Sequence, residues 1–402
     1  MKIYILFFAL FSLSFSENDY YTLVISFDGF MYDYLERDEV ETPNFDDFKR
    51  KGVSSRLISV FPSLTFPNHY SIATGYHSDK HQIIGNSFFS KTLNKQYSMK
   101  DSESVQDGSF YGMEPIWVTA EKNKIRTATY FWIGSEAEIN GYRPSIYKNY
   151  DGSVTFESRV DSIISWYNLP KEKRPDLAML YFSEPDYTGH RFGTSGNEIN
   201  LSIEEMDRLL EYIIDELKNL EIYDNLNIII VSDHGMEDVS KDRVILLDKY
   251  IDVDNTQITF SPAVTHINLK NSNHIDNIKN SLKNIDNASI FSKDEIPMEY
   301  HFINNDTPDF IVVADIGWFI TTSTKMKQKK RFPRGMHGYD SSYSSMHGIF
   351  LARGPSFKEN ISIESFENIN IYPLLCSILN ISPYQSNILW NQSIYNQLLV
   401  VE

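Results

Sequence analysis

The stretch "TLVISFDGF", Thr22 to Phe30, decides how the chain folds. Its first six residues are mostly apolar and rich in β-branched types, too short a run for a helix and suited to a buried strand. Asp28 and Gly29 end it. The pattern recurs twice downstream: "LAMLYF" (177–182) runs into Ser183-Glu184-Pro185-Asp186, and "NIIIVS" (227–232) runs into Asp233-His234. "AVTHINL" (263–269) and "FIVVAD" (310–315) read as further buried strands. Helical patterns lie between them, most clearly "IEEMDRLLEYIIDELKNL" (203–220), whose apolar residues at 203, 206, 209, 210, 213, 214, 217 and 220 share one face. Strands alternating with helices predict an α/β fold with a mostly parallel central sheet and helices on both faces.

The three aspartates carry the chemistry. In an open parallel sheet, ligands bind beyond the carboxyl ends of the strands. Any one of Asp28, Asp186 and Asp233 could be an ordinary turn or cap residue. Three carboxylates converging on one edge repel each other unless a cation sits among them. Histidines complete the pattern. Asp186 and His190 are four residues apart in "EPDYTGH", and His234 follows Asp233 in "SDHGM". Further on, "RGMHGYDSSYSSMHG" offers His337 and His347, each between Met and Gly. Mixed imidazole and carboxylate donors suit zinc better than magnesium or calcium, and enough are present for two ions. Two divalent ions side by side form a clamp for phosphoryl-type transfer. The stretch "FPSLTFPNHYSIATG" (61–75) places Thr65 where a helix begins. As a bare fragment that threonine reads as a helix cap, and beside bound metals it becomes a candidate nucleophile at an anion-favouring terminus. His69, His77, His81, His266, His274 and His301 read as packing or solvated residues.

Composition bounds what such a site can serve. The chain has 402 residues, 42% hydrophobic and 23% charged, with a formal net charge of −17. That surface repels nucleic-acid backbones and argues against duplex binding, while leaving room for small phosphate ligands beside bound metals. Lys2 followed by "IYILFFALFSLSF", with Ser14 and Ser16 near its end, reads as a secretory signal peptide over residues 1–16. Residues 17–402 then read as a single catalytic domain, with the Asn/Lys-rich segment of about 270–335 as a candidate smaller lobe. Neither the leader nor "YNQLLVVE" is long enough for a transmembrane anchor. The protein is therefore expected outside the cell or in the secretory lumen, with N-glycan acceptor motifs at Asn200, Asn287, Asn305, Asn360, Asn380 and Asn391. The lone Cys376, in "IYPLLCSIL", permits no internal disulfide and reads as buried packing.

Taken in order, "SFDGF", "TFPNHYSIATG", "GNSFF", "EPDYTGH", "SDHGM" and "GMHGYD" resemble the motifs of the nucleotide pyrophosphatase/phosphodiesterases (type I phosphodiesterases), members of the alkaline-phosphatase-like superfamily. The resemblance covers roughly residues 20–385. It implies one zinc held by Asp28, Thr65, Asp233 and His234, and a second held by Asp186, His190 and His337. It implies that Thr65 attacks phosphorus to form a nucleotidyl-threonine, and that Asn86 donates to a phosphate oxygen. Phe66 and Tyr150 match positions that sandwich a nucleobase. His337 matches the family's Gly-x-His-Gly-x-Asp pattern, which leaves His347 a structural residue. Ser341 stands where the family often carries Asn, which bears on how His337 is oriented. The expected activity is that of a secreted, metal-dependent nucleotide pyrophosphatase/phosphodiesterase releasing nucleoside 5′-monophosphates from small nucleotides. A choline-phosphodiester or lysophospholipid phosphodiesterase would share the metal ligands and is the enzymatic alternative. A catalytically silent binding protein is the alternative from another class, and it would be expected to have lost a ligand or the nucleophile; all are present.

Overall fold

A computed structural model describes residues 20–271, 275–385 and 391–400. The expected leader and His274 lie outside the described residues. The centre of the molecule is a nine-stranded sheet. Its middle strand, Tyr21–Phe27, runs parallel to Leu177–Phe182 on one side and Leu226–Val231 on the other. Thr127–Tyr130 and Ile146–Lys148 extend the first side, also in parallel. On the second side Gly348–Arg353 enters antiparallel to both neighbours, Leu226–Val231 and Val53–Ile58. Two short strands, Ile361–Ser362 and Phe366–Glu367, pair with the outer edge of Val53–Ile58.

Every residue of the three central strands is buried, as near-continuous apolar strands covered on both faces must be. Alternation decides which core each side chain joins. Val24, Met179, Ile229 and Val231 pack with the helices Thr65–Thr74, Ile116–Lys122 and Ile371–Ile378. Leu23, Ile25, Leu180, Ile228 and Ile230 pack with Pro43–Arg50, Phe156–Tyr167 and Asn197–Lys218. The helix expected over 203–220 begins six residues earlier, because the polar turn from Asn197 already presents Ile199 to the same buried face.

The strands read at 263–269 and 310–315 exist, as Val264–Leu269 and Phe310–Ala314, but outside the parallel sheet. They form a separate antiparallel sheet in the order Thr256–Thr259, Val264–Leu269, Phe310–Ala314, Ala288–Ser292. The four residues between the first two strands allow only a hairpin; a parallel crossover needs a dozen or more. This sheet has a core of its own, which includes Ile267, Phe310 and Val312. Cys376 is fully buried in the helix Ile371–Ile378, where burial pushes its thiol up to about 12. Asn287, Asn305, Asn360, Asn380 and Asn391 are exposed, whereas Asn200 is half-buried and accepts from Arg37. Among the described residues, no helix is long and apolar enough to cross a membrane.

Candidate metal centre and nucleophile

Sheet register sets the site. Phe27 lies opposite Phe182, and Ser26 opposite Val231, so the chain leaves three neighbouring strands at one edge carrying Asp28, Asp186 and Asp233. Gly29 lets the first two meet: its φ is +67°, and a Cβ there would lie 2.8 Å from the Cβ of Asp186. The Asp186 amide donates to the Asp28 carbonyl at 2.9 Å, and the Gly29 amide donates to Asp233 Oδ1 at 3.2 Å.

Histidines close around these carboxylates. Asp186 opens the helix Asp186–Phe192, so His190 returns to the same face one turn later, with Nε2 3.5 Å from Asp186 Oδ2. His337 Nε2 lies 3.6 Å from Asp186 Oδ1. His234 Nε2 lies 3.1 Å from Asp233 Oδ2 and 3.5 Å from Asp28 Oδ1. The rings of His234 and His337 stack at 3.6 Å. All three imidazoles are oriented alike: Nδ1 meets the carbonyl of Gly335 for His190, of Gly235 for His234 and of Ser63 for His337, each at 2.9 Å. A carbonyl can only accept, so each Nδ1 carries the hydrogen and each Nε2 is turned inward, the arrangement that orients metal-ligating histidines.

The donor set fits divalent cations. Asp28 Oδ1 and Asp186 Oδ1 are buried without a hydrogen-bond partner, a costly state for carboxylate oxygens, while Asp233 Oδ2 has the imidazoles of His234 and His69 beside it. Burial, then the charges of Asp233 and Asp186, push the Asp28 carboxyl well above its usual range; burial lifts Asp186 to about 7. A cation among them would reverse both shifts. His234 shows the same demand for positive charge, because Asp233 raises it to about 10 against the opposing effect of burial. Ligand atoms of Asp186, His190 and His337 lie within 4.8 Å of one another, as do those of Asp28, Asp186 and His234. Asp186 is thus common to both groups.

Thr65 is not the helix cap that its sequence context suggests. The cap position is Leu64, without a side-chain cap bond, and Thr65 is the first residue inside the helix. Its hydroxyl is consequently left to face His234, with Oγ1 3.2 Å from Nε2. Asn86 accepts from the Phe66 amide through Oδ1 at 2.9 Å, which leaves its NH2 group to donate elsewhere. Phe66 packs edge-on against Tyr97. Tyr150 is 55% exposed and leans on Phe131 and Tyr181, with ring centroids 5.1 and 6.5 Å away. His347 Nε2 donates to the Ser341 carbonyl at 2.8 Å, while His337 is oriented by Ser63; the departure at Ser341 therefore leaves His337 in place.

Two neighbours of the cluster escaped the sequence reading. Tyr181 donates its hydroxyl to Asp28 Oδ2 at 2.5 Å. Its signal was a polar-tipped aromatic at the end of a strand that runs into Asp186. His69, read as packing or solvated, is fully buried beside Asp233, with Nδ1 3.3 Å from Oδ2. Its Nδ1 also meets the Thr65 carbonyl at 2.9 Å and its Nε2 meets Ser26 Oγ at 2.8 Å. Both ring nitrogens are engaged, so His69 braces Asp233 and the Thr65 backbone rather than presenting a free donor. Its spacing of four from Thr65 was the available clue.

Comparison with known proteins agrees with this geometry. The sequence model of the family described as type I phosphodiesterase / nucleotide pyrophosphatase matches residues 22–340. The venom phosphodiesterase CdcPDE of Crotalus durissus collilineatus is 37% identical over 372 residues, covering 90% of this chain and 44% of that protein. Human ectonucleotide pyrophosphatase/phosphodiesterase family member 1 is 35% identical over 377 residues, covering 91% of this chain and 40% of that protein. The chain therefore spans less than half the length of these two relatives. Murine ectonucleotide pyrophosphatase / phosphodiesterase 5 superposes with a TM-score of 0.88 at 34% identity, covering 94% of this chain and 100% of that one. The same murine protein has been solved as an inactive threonine-to-alanine variant in complex with AMP. Strand-end carboxylates, inward-facing imidazoles and an alkaline-phosphatase-like α/β frame come together over the matched span, and the chain belongs to the type I phosphodiesterase / nucleotide pyrophosphatase family of hydrolases.

Proposed function

We propose that this chain is a secreted, zinc-dependent nucleotide pyrophosphatase/phosphodiesterase that releases nucleoside 5′-monophosphates through a covalent Thr65 intermediate. One observation carries the reading: Thr65 Oγ1 stands 3.2 Å from His234 Nε2, at the rim of a cluster in which Asp28 Oδ1 and Asp186 Oδ1 are buried without a hydrogen-bond partner. Asp28, Asp233, His234 and Thr65 would hold one ion, and Asp186, His190 and His337 the other. Bound zinc would lower the pKa of a hydroxyl or water and offset charge on the phosphoryl oxygens.

Thr65 Oγ1 then forms a bond to the α-phosphorus as the bond to the leaving oxygen breaks. The amides of the first helical turn face the phosphoryl group. The Asn86 carbonyl is held by the Phe66 amide, which fixes the side chain, and its NH2 donates to a non-bridging oxygen as charge builds there. Hydrolysis of the nucleotidyl-threonine returns the Thr65 hydroxyl and releases the monophosphate. Phe66 and the exposed Tyr150 ring offer aromatic faces for the base. The AMP bound by the murine relative supports a nucleotide substrate here.

Initial rates on the nitrophenyl ester of thymidine monophosphate and on nitrophenyl phosphorylcholine test the reading. The nucleotide ester should turn over faster, and a chelator should abolish turnover. Preference for the choline ester, or turnover that persists after the metal is removed, would refute it.

A further inference from the structure

A cleft of about 640 Å³ lies at the C-terminal end of the helix Asp186–Phe192, lined by Lys241, Arg243, Lys330, Arg331 and Arg334, with Asp238 its one carboxylate. In a chain of net charge −17 this is a local reversal of sign. None of the five cations has an acidic side chain as partner among the described residues. Arg243 donates to the Asp238 backbone carbonyl at 3.0 Å, and Arg331 donates to the Arg191 carbonyl at 3.0 Å while resting over the Phe192 ring. The Asp238 carboxylate is engaged by the Thr194 amide at 2.7 Å. Two guanidinium groups are thus held by backbone carbonyls and a ring, leaving their charge uncompensated. Five cations share the hollow with a single carboxylate, so a net positive charge remains, and an anion in that hollow would relieve the repulsion.

We propose that this cleft binds a short oligophosphate, separately from the metal cluster. The volume is that of a small-molecule site. The chain as a whole is acidic, so a long polyanion extending past the cleft meets net repulsion, whereas a short one fits within the basic hollow. Arginine forks and lysine ammonium groups suit phosphate oxygens. The choice of phosphate rests on the proposed function, because cleavage of a nucleoside triphosphate at its α-phosphorus releases pyrophosphate. The cleft also adjoins the metal centre: the Arg334 amide donates to the His190 carbonyl at 3.0 Å, and the next residue, Gly335, accepts from His190 Nδ1.

Calorimetric titration of the metal-loaded protein with inorganic tripolyphosphate tests the site. Wild type should bind, and the Lys241→Glu/Lys330→Glu variant should bind about tenfold more weakly or worse. Both side chains are exposed, so the variant should melt like wild type and hydrolyse the nitrophenyl nucleotide ester at an unchanged rate. Lys330→Gln alone should lose less affinity. Equal affinity in wild type and the double variant, or no binding by wild type, would overturn the proposal. Binding is read without turnover, so a protein that binds tripolyphosphate here but leaves nucleotides intact would overturn the proposed function and not this site.

Discussion

Thr65 owes its candidacy to a displacement of one residue. Had it been the cap, its hydroxyl would have been taken by the helix backbone; as the first helical residue it faces His234. Sequence could not separate these alternatives, because Leu64 in the cap position is an unfavoured choice that only the packed structure reveals. Tyr181 makes the opposite point: its polar tip hints at a partner, and only the paired strands show that the partner is Asp28. Tyr181→Phe removes that donor and little else. Its metal affinity should fall by about 10- to 100-fold, measured by competition with a chromophoric chelator. Unchanged affinity would show that Tyr181 does not orient Asp28. Cys376 supplies a check with a defined sign. Burial disfavours its thiolate and pushes the thiol up to about 12, so the reactive form is scarce at every lower pH. Native protein should resist a maleimide at about pH 8 and react once denatured, as followed by mass spectrometry; rapid labelling of the native protein would contradict its burial.

The strands and helices divide by how much of their role is written locally. Tyr21–Phe27, Leu177–Phe182 and Leu226–Val231 are covered on both faces, so composition alone marks them. Val53–Ile58 passes unnoticed because "VSSRLI" carries two serines and an arginine, and it is a strand only by pairing with Gly348–Arg353. The hairpin of the small sheet depends on the length of a connection, which a reading of apolar runs does not weigh. Gly29 ties the first strand to the site. Gly29→Ala must hold a left-handed backbone and set a methyl against Asp186, so about 1–3 kcal/mol of stability and most activity should be lost. A denaturant titration alongside rate measurements checks this, and a fully active Gly29→Ala enzyme would show that Asp28 and Asp186 need not approach. Ile213, on the buried face of Asn197–Lys218, is not among the candidate ligands. Ile213→Ala should cost about 2–5 kcal/mol in the same titration, while activity per folded molecule is preserved.

At the scale of the whole molecule, one sheet edge gathers groups separated by up to 309 residues, from Asp28 to His337. That convergence was legible because each aspartate directly follows a recognisable strand, and parallel strands deliver their carboxyl ends to the same side. The division of the candidate ligands was less legible, since Asp186 reaches both groups only in the folded chain. The basic cleft was hidden for another reason: its cations come from residues 241–243 and 330–334, and nothing in either segment announces the other. Overall acidity disfavours long polyanions, and the basic cleft offers a place for short phosphate compounds. The central claim is that Thr65 itself takes up the nucleotide. It is tested most directly by mixing the metal-loaded protein with ATP, quenching in acid during turnover, and mapping peptides by mass spectrometry. An adenylyl adduct should appear on the peptide bearing Thr65 in wild type and be absent from Thr65→Ala, which should also release no AMP. Release of AMP by Thr65→Ala at the wild-type rate would contradict the account.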